Sequence, residues 1–316
     1  MAEWLYEQGI GENRAILVEG GVIVEAAIEL PGPRAGAVVG ARLTSRAGIA
    51  ALEDGTEAIV EPVPKVGEGA SFHAEITREA IPEAGRPKPP RLRPTDLPPR
   101  PGPSLAERIG RPPPLAGFGP DRFEAAGWSE LLDEAATGEI AFDGGALRMS
   151  LTPAMTLFDV DGGLPPAALA EAGAAAAARA ILRMGLAGSI GIDLPTLPRA
   201  RRQAAAAAVD AILPQPFERT AVNGFGFLQI VRRRERSSIP EIVQSDPVGA
   251  AARALLRRGG RGNGPVTLHA APAVVARLEA QPDWLAALER QAGGAIALRA
   301  EPGLAISAGH AESRFT

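Results

Sequence analysis

The sequence predicts a mixed α/β fold with a β-rich N-terminal part, a central α/β layer and a small C-terminal α+β unit. Three observations carry this. Short β-rich runs separated by glycine and proline fill residues 34–93. A composition break follows, with 13 prolines between Pro82 and Pro120. Beyond it, strand-like runs alternate with alanine-rich helical ones. At 316 residues the chain is long enough for two or three such parts, with a sizeable core.

The first element is a hairpin. AILVEGG and VIVEAAIEL flank Gly20 and Gly21, a strong turn signal. The runs AVVGARL, GIAALE, EAIVEPV and ASFHAEITR come next, and several short strands at close spacing predict a small barrel or sandwich. The proline-rich stretch, with Pro112-Pro113-Pro114, reads as an extended linker that forms neither helix nor central strand. After it, FEAAGWSELLDEAA is helix-like, GEIAFDG and GALRMSL pair across Gly144 and Gly145, and AMTLFDVD is a further strand. LPPAALAEAGAAAAARAILRMGL is a long helix with Pro165 and Pro166 near its start, where proline is tolerated. AGSIGIDL is a strand, ARRQAAAAAVDAIL a helix, and TAVNGFGFLQIVRRR a strand and turn leading into a strand or short helix. The order β-β-β-α-β-α-β resembles a ribonuclease H-like or related α/β layer. From Pro247 the chain reads helix, glycine-rich loop (GGRGNG), strand (VTLHA), two helices and strand (AIALRAE). The expected parts are therefore 1–33, 34–93, 94–120, 121–246 and 247–316.

Composition narrows the chemistry. With no cysteine, a disulfide scaffold, a thiolate metal site and a cysteine nucleophile are excluded. No apolar run approaches the roughly 20 residues of a membrane span, and MAEWLYEQGIGENR lacks a basic segment followed by an apolar one. A soluble cytoplasmic protein is the expectation. The net charge of −4 is not that of an obvious nucleic-acid binder. Yet of 33 basic residues only Lys65 and Lys88 are lysine, which leaves 31 arginines. Arginine suits phosphate because its planar fork can donate two parallel hydrogen bonds. A GC-rich coding sequence accounts for the same bias.

The strand Met155–Asp161 is the most informative feature. Side chains alternate across a strand, so Asp159 and Asp161 share a face. Asp193 ends a second apolar strand. If the two strands are neighbours, three carboxylates meet at one sheet edge, an oxygen-only ligand set that suits Mg²⁺ or Mn²⁺. Asp-Gly-Gly after a strand is also an ordinary turn, and Asp193 before Leu-Pro also starts a loop. His73, His269 and His310 are scattered and share no metal-ligand spacing. Ser129, Ser150 and Ser189 lack a nucleophile-elbow context, and no GxxxxGK[ST] loop occurs. The densest basic run, Arg232, Arg233, Arg234 and Arg236, follows Phe225 and Phe227. Charge beside stacking faces is the usual equipment for single-stranded nucleic acid, and a solvated basic face has the same pattern. Arg199, Arg201 and Arg202 follow Asp193 closely enough to flank the same site.

In order and spacing the chain resembles the ribonuclease E/G family of single-strand-specific bacterial endoribonucleases. GEIAFDGGALRMSLTPAMTLFDVDGG is similar to the family stretch in which a paired-glycine turn and a strand lead to an Asp-Val-Asn metal motif. AAAARAILRMGLAGSIGIDLPTL is similar to the helix and aspartate-ending strand that follow. GFGFLQIVRRRERSSIPEI is similar to the family's Gly-Leu-Glu-Met-Arg-Lys-Arg segment. AILVEGGVIVEAAIE resembles the first hairpin, and VTLHAAPAVVARLEA the small C-terminal domain. The resemblance implies a ribonuclease H-like or DNase I-like catalytic core in 121–246 with its hairpin at 1–33. It also implies an inserted S1-like OB barrel at 34–93.

By position, Asp159 and Asp193 match the family's two metal-binding aspartates, and Asp161 stands where the family has asparagine. Arg219 matches a basic residue near the scissile phosphate. Lys88 matches one at the end of the S1 insertion. Arg232, Arg233 and Arg234 would hold the RNA backbone, and Phe72 is the only aromatic residue of the S1-like part. The function implied is a Mg²⁺- or Mn²⁺-dependent endoribonuclease on single-stranded RNA that leaves 5′-phosphate and 3′-hydroxyl ends, with homodimerisation as in the family. Three departures stand out. Asp161 replaces an amide, adding charge and losing an N–H donor. The zinc-link cysteines are absent, so no zinc is expected. The region that senses an RNA 5′-monophosphate is largely missing. The altered acid motif and the missing sensor region favour the alternative, an RNA-binding protein of the same fold that no longer cuts, and retention of both family aspartates argues against it.

Overall fold

The computed structural model describes residues 1–83, 87–115 and 119–313. Parts of the expected barrel (84–86), linker (116–118) and C-terminal unit (314–316) lie outside the described residues. Gly20 and Gly21, at φ 60° and 86°, turn the chain between β2 (Asn13–Glu19) and β3 (Val22–Glu29). A strand that sequence reasoning missed, β1 (Glu3–Gln8), pairs antiparallel with β2. Its consecutive Leu5 and Tyr6 are both buried, Leu5 in the main core and Tyr6 in a smaller cluster with Ala15 and Leu105. A strand covered on both faces lacks the alternation that marks a half-buried one.

The next five strands are β4 (Val38–Ser45), β5 (Ile49–Leu52), β6 (Glu57–Val60), β7 (Ser71–Arg78) and β8 (Arg91–Pro94). They close into a barrel in the order β4-β5-β6-β8-β7, with β6 and β8 parallel. This closure and order are compatible with an OB-like barrel. Small side chains fill the interior, among them Ala41, Ala50, Ala58 and Ala74 beside Leu43, Ile76 and Leu92. A barrel this narrow has room for little more.

The strand β8 corrects the sequence reading. It lies inside the proline-rich stretch that was expected to form no central strand. Pro89 and Pro90 precede it and Pro94 ends it, so proline brackets the strand without interrupting its ladder. The expected linker 94–120 is not a free spacer either. Val38 and Arg100 exchange backbone hydrogen bonds of 2.9 and 3.0 Å. The short helix α1 (Leu105–Arg108), with a Ser104/Glu107 capping box, buries Leu105 against Tyr6. Beyond it, the Leu115 N–H donates to the Tyr6 carbonyl at 2.8 Å. The segment straps the barrel to the first sheet.

The central part contains α2 (Arg122–Ala125), α3 (Trp128–Thr137), β9 (Glu139–Phe142), β10 (Gly145–Leu151) and β11 (Thr156–Gly162). It continues with α4 (Pro166–Arg183), β12 (Gly188–Asp193), α5 (Arg199–Asp210), β13 (Glu218–Arg219), β14 (Phe227–Arg232) and α6 (Ile239–Ser245). The sheet runs β13-β14-β12-β11-β10-β9, and its one parallel pair is β11–β12, joined through α4. Alanines at 170, 174, 177 and 178 are fully buried and let α4 lie close. At Gly173 a side chain would strike Val160 of β11. The helix packs against β10 and β11 on one side and β3 on the other, and α5 packs beside it. Phe158, Val160, Ile190, Ile192, Leu228 and Ile230 point into this layer. The alternate residues face outward on the opposite side of the sheet.

The C-terminal unit has its own apolar cluster. It comprises α7 (Pro247–Gly259), β15 (Val266–Ala270), α8 (Pro272–Glu279), α9 (Pro282–Ala292), β16 (Ile296–Ala300) and β17 (His310–Ser313). The polar edge strand β17 was not predicted. A buried ion network joins this unit to the first sheet: Glu12 accepts from Arg253 at 2.8 Å and also from Arg257. Among the described residues no helix is long and apolar enough to cross a membrane.

Candidate functional site

The outward face of the six-stranded sheet carries a straight row of side chains. Register sets Glu139 of β9 opposite Arg148 of β10, Arg148 opposite Asp159 of β11, Asp159 beside Asp193 of β12, and Asp193 opposite Phe227 of β14. Residues at matched positions share a face, about 4.8 Å from strand to strand. Asp159 and Asp193 are therefore neighbours at the ends of the only parallel pair of this sheet, and both are exposed. Neither carboxylate has an ion-pair partner among the described residues.

The expected cluster of three carboxylates is not formed. The ligand atoms of Asp159, Asp161 and Asp193 are not mutually close enough to hold one ion as a set. Asp161 lies two residues further along β11, roughly 6.6 Å on, beyond the last residue that pairs with β12. There it faces Arg148, with Nη1 and Oδ2 3.6 Å apart, while the same guanidinium lies 3.4 Å from Glu139. Arg148 is the one cation of the row, and sequence reasoning missed it. Part of the signal was available: alternation in GALRMSL and a two-residue turn after Phe142 put Arg148 opposite Glu139 on one face, while its place beside Asp159 depends on the β10–β11 register.

Phe227 sits beside Asp193 with its ring laid back over Gly191. A side chain at Gly191 would strike that ring and come within 2.9 Å of Leu157. The preceding loop is ordered by Asn223, whose Oδ1 accepts from the Phe225 and Phe227 N–H groups at 2.9 and 3.0 Å. It presents Phe225 almost fully to solvent, 85% exposed. Two aromatic faces thus stand at the aspartate end of the sheet.

Most of the basic residues expected to hold RNA have other partners. Arg219 pairs with Ile230, whose side chain points to the helices, so Arg219 faces away from the aspartates. Its Nε donates to Asp210 Oδ1 at 2.6 Å and its Nη1 to the Thr220 carbonyl at 3.0 Å. The hydrogen bonds to Asp210, from Nε and also from Nη2 of Arg219, hold its carboxyl below its ordinary value. Arg232 also has helix-side parity and donates to the Leu186 carbonyl at 2.9 Å. Burial lowers its pKa against the opposing pull of Glu25.

Arg234 is held by Glu241 and by Glu83 at 3.6 Å, and Lys88 by Glu83 and the Pro153 carbonyl at 3.1 Å. Arg236 reaches Glu79 at 3.4 Å. Together these groups form the seam between barrel and central sheet. Only Arg233 of the run is largely exposed, with Glu235 3.1 Å away. Phe72 lies in a shallow groove on the barrel beside Arg42, Glu53 and His73.

No protein-family model and no curated protein matches the chain. Two hard oxygen donors side by side suit Mg²⁺ or Mn²⁺, with water completing the shell. Outside the row, His269 and His310, expected to be isolated, stack in the C-terminal sheet with ring centroids 4.7 Å apart.

Proposed function

We propose that this protein is a divalent-metal-dependent endonuclease for single-stranded RNA, with Asp159 and Asp193 as its metal-binding pair. The observation that carries the reading is the juxtaposition of these two exposed carboxylates with no cation between them. Such a pair repels itself in isolation and gains its rationale from a shared cation. A bound Mg²⁺ or Mn²⁺ would supply Lewis acidity and a more acidic water for attack on a phosphodiester.

The chain's own residues do the rest. Asp159 and Asp193 would hold that ion, and with it the reacting phosphate, over the end of the parallel pair. Arg148, next in the row, offers its guanidinium to a neighbouring phosphate oxygen. Phe227 and Phe225 offer stacking faces to bases at the other end, which is sequence-tolerant and suits a single strand. On this reading the sheet is the ribonuclease H-like or DNase I-like layer of a ribonuclease E/G-type enzyme, and the barrel is its S1-like insertion. Asp161 moves from metal ligand to partner of Arg148. The roles expected of Arg219, Arg232, Arg234 and Lys88 pass to Arg148 and the exposed Arg233.

A second reading, an RNA-binding protein that does not cut, is favoured by the failure of the three aspartates to converge. One experiment separates the two. A 5′-hydroxyl, 3′-labelled single-stranded RNA is incubated with the protein and Mg²⁺, with EDTA in place of Mg²⁺, and with Asp159→Asn. Internal cuts that need both the metal and Asp159 are expected. RNA that is bound but never cut, with Mg²⁺ or Mn²⁺, would leave the binding-protein reading.

A further inference from the structure

The C-terminal sheet runs β16-β15-β17. Its Val266 and Leu268 side chains enter the apolar cluster, so alternation turns Thr267 and His269 to the other face. Antiparallel register puts His310 of β17 directly opposite His269, and Glu312, two residues on, shares that face. His269 is buried all the same, 5% exposed, with its ring stacked on that of His310 at an interplanar angle of 7°. Glu301, just past β16, places Oε1 2.6 Å from His269 Nδ1. A carboxylate only accepts, so this contact places a proton on Nδ1 and leaves Nε2 as the ring atom that can take a metal. That Nε2 is buried and has no hydrogen-bond partner. The nearest carboxylate oxygen, Glu312 Oε2, is 3.4 Å away. A buried ring nitrogen without a partner, facing a carboxylate oxygen at that distance, leaves a place for a bound cation.

We propose that His269, His310 and Glu312 bind a Zn²⁺ ion that bridges β15 and β17. Their ligand atoms all lie within 4.8 Å of one another. The 3.4 Å between Nε2 and Oε2 is also what tetrahedral geometry sets for two donors each about 2.1 Å from one ion. Two imidazoles and a carboxylate form a zinc donor set with a fourth position left for water. Imidazole also discriminates against Mg²⁺, which prefers oxygen. Glu301 orients the ligand His269 through its other nitrogen, as outer carboxylates do in histidine metal sites.

His310 and Glu312 are exposed, and the His310 ring, stacked on His269, would turn to bring a nitrogen onto the ion. The bound ion would tie the four-residue edge strand β17 to the centre of the sheet. The expectation of no zinc rested on missing cysteines, and these three residues need none. Local spacing could not show the site, because His269 and His310 meet only through strand pairing.

The test uses full-length, tag-free protein stripped with chelator and titrated with Zn²⁺ against a chromophoric competitor. One tight equivalent per chain is expected, unaffected by millimolar Mg²⁺. It should be lost in His310→Ala and in Glu312→Gln, both at exposed positions, with the fold checked by circular dichroism. Glu301→Gln should weaken it by about 10–100-fold, and Asp159→Asn should leave it unchanged. Absence of a tight equivalent, or wild-type binding by both ligand variants, would overturn the proposal.

Discussion

Replacing Asp193 by asparagine should make the metal-free protein more stable and the protein in Mg²⁺ less stable than wild type. Asp159 and Asp193 occupy matched positions on adjacent strands, and both face solvent. Carboxylates about 5 Å apart at a water-like dielectric repel by about 1 kcal/mol. Asp193→Asn relieves that repulsion. In EDTA the variant should gain up to about 1 kcal/mol, or about 2–4 °C in Tm for a unit of this size. In wild type, Mg²⁺ at a hundred times its Kd adds about 2.7 kcal/mol by mass action. The variant has lost one of two protein ligands and should gain little. Urea unfolding followed by circular dichroism, with EDTA or Mg²⁺, gives four stabilities whose order must cross. If Asp193→Asn is less stable in EDTA, the two carboxylates are not in mutual repulsion. If Mg²⁺ stabilises both proteins equally, the pair is not the metal site.

Two further predictions concern ion pairs, one between parts of the fold and one within the central part. Glu12 is almost fully buried between Arg253 and Arg257, so Glu12→Ala leaves two buried guanidiniums uncompensated and should cost about 3–5 kcal/mol in urea unfolding. A loss below about 1 kcal/mol would mean that water reaches the network. Asp210 is held below its ordinary value by the hydrogen bonds from Arg219. A depressed carboxyl contributes stability above the unfolded pKa of about 3.9 and loses it as pH falls through the lower folded value. The stability gap between wild type and Arg219→Ala should therefore be open at pH 7 and shrink below about pH 4. A gap constant down to pH 2 would show that Arg219 acts through packing alone.

What the sequence showed was what local pattern can show. The Gly20-Gly21 hairpin, the Gly144-Gly145 pairing and the long alanine helix each depend on residues within one or two turns of chain. The shared face of Asp159 and Asp161 follows from alternation alone, and their nearness to Asp193 needed only one strand pairing to be guessed. The rest depended on contacts distant in sequence. The strand β8 was obscured because composition counts prolines without regard to which edge of a strand they occupy. The arginine run read as one basic surface, yet parity sends Arg232 toward the helices and the barrel seam takes Arg234 and Arg236. Lys88 met its partners, Glu83 and Pro153, on two different parts of the fold. His269 and His310 lie on strands whose pairing no local spacing encodes.

The charge on the open face ties binding to the metal. Glu139, Asp159, Asp161 and Asp193 stand against a single arginine, Arg148. An RNA backbone brought to that face without a cation meets like charge on like, whereas the usual nucleic-acid surface is basic. A divalent ion between Asp159 and Asp193 removes two negative charges where the phosphate must sit and leaves Arg148 beside it. On the proposed function the ion is then a condition of seating the strand as well as of cutting it. Asp159→Asn separates these two effects. In EDTA it deletes a repulsive charge, so its RNA affinity should equal or exceed that of wild type. In Mg²⁺ it no longer draws on the ion, so wild type should bind RNA more tightly, and a wild-type affinity that Mg²⁺ leaves unchanged would refute the coupling of binding to the metal.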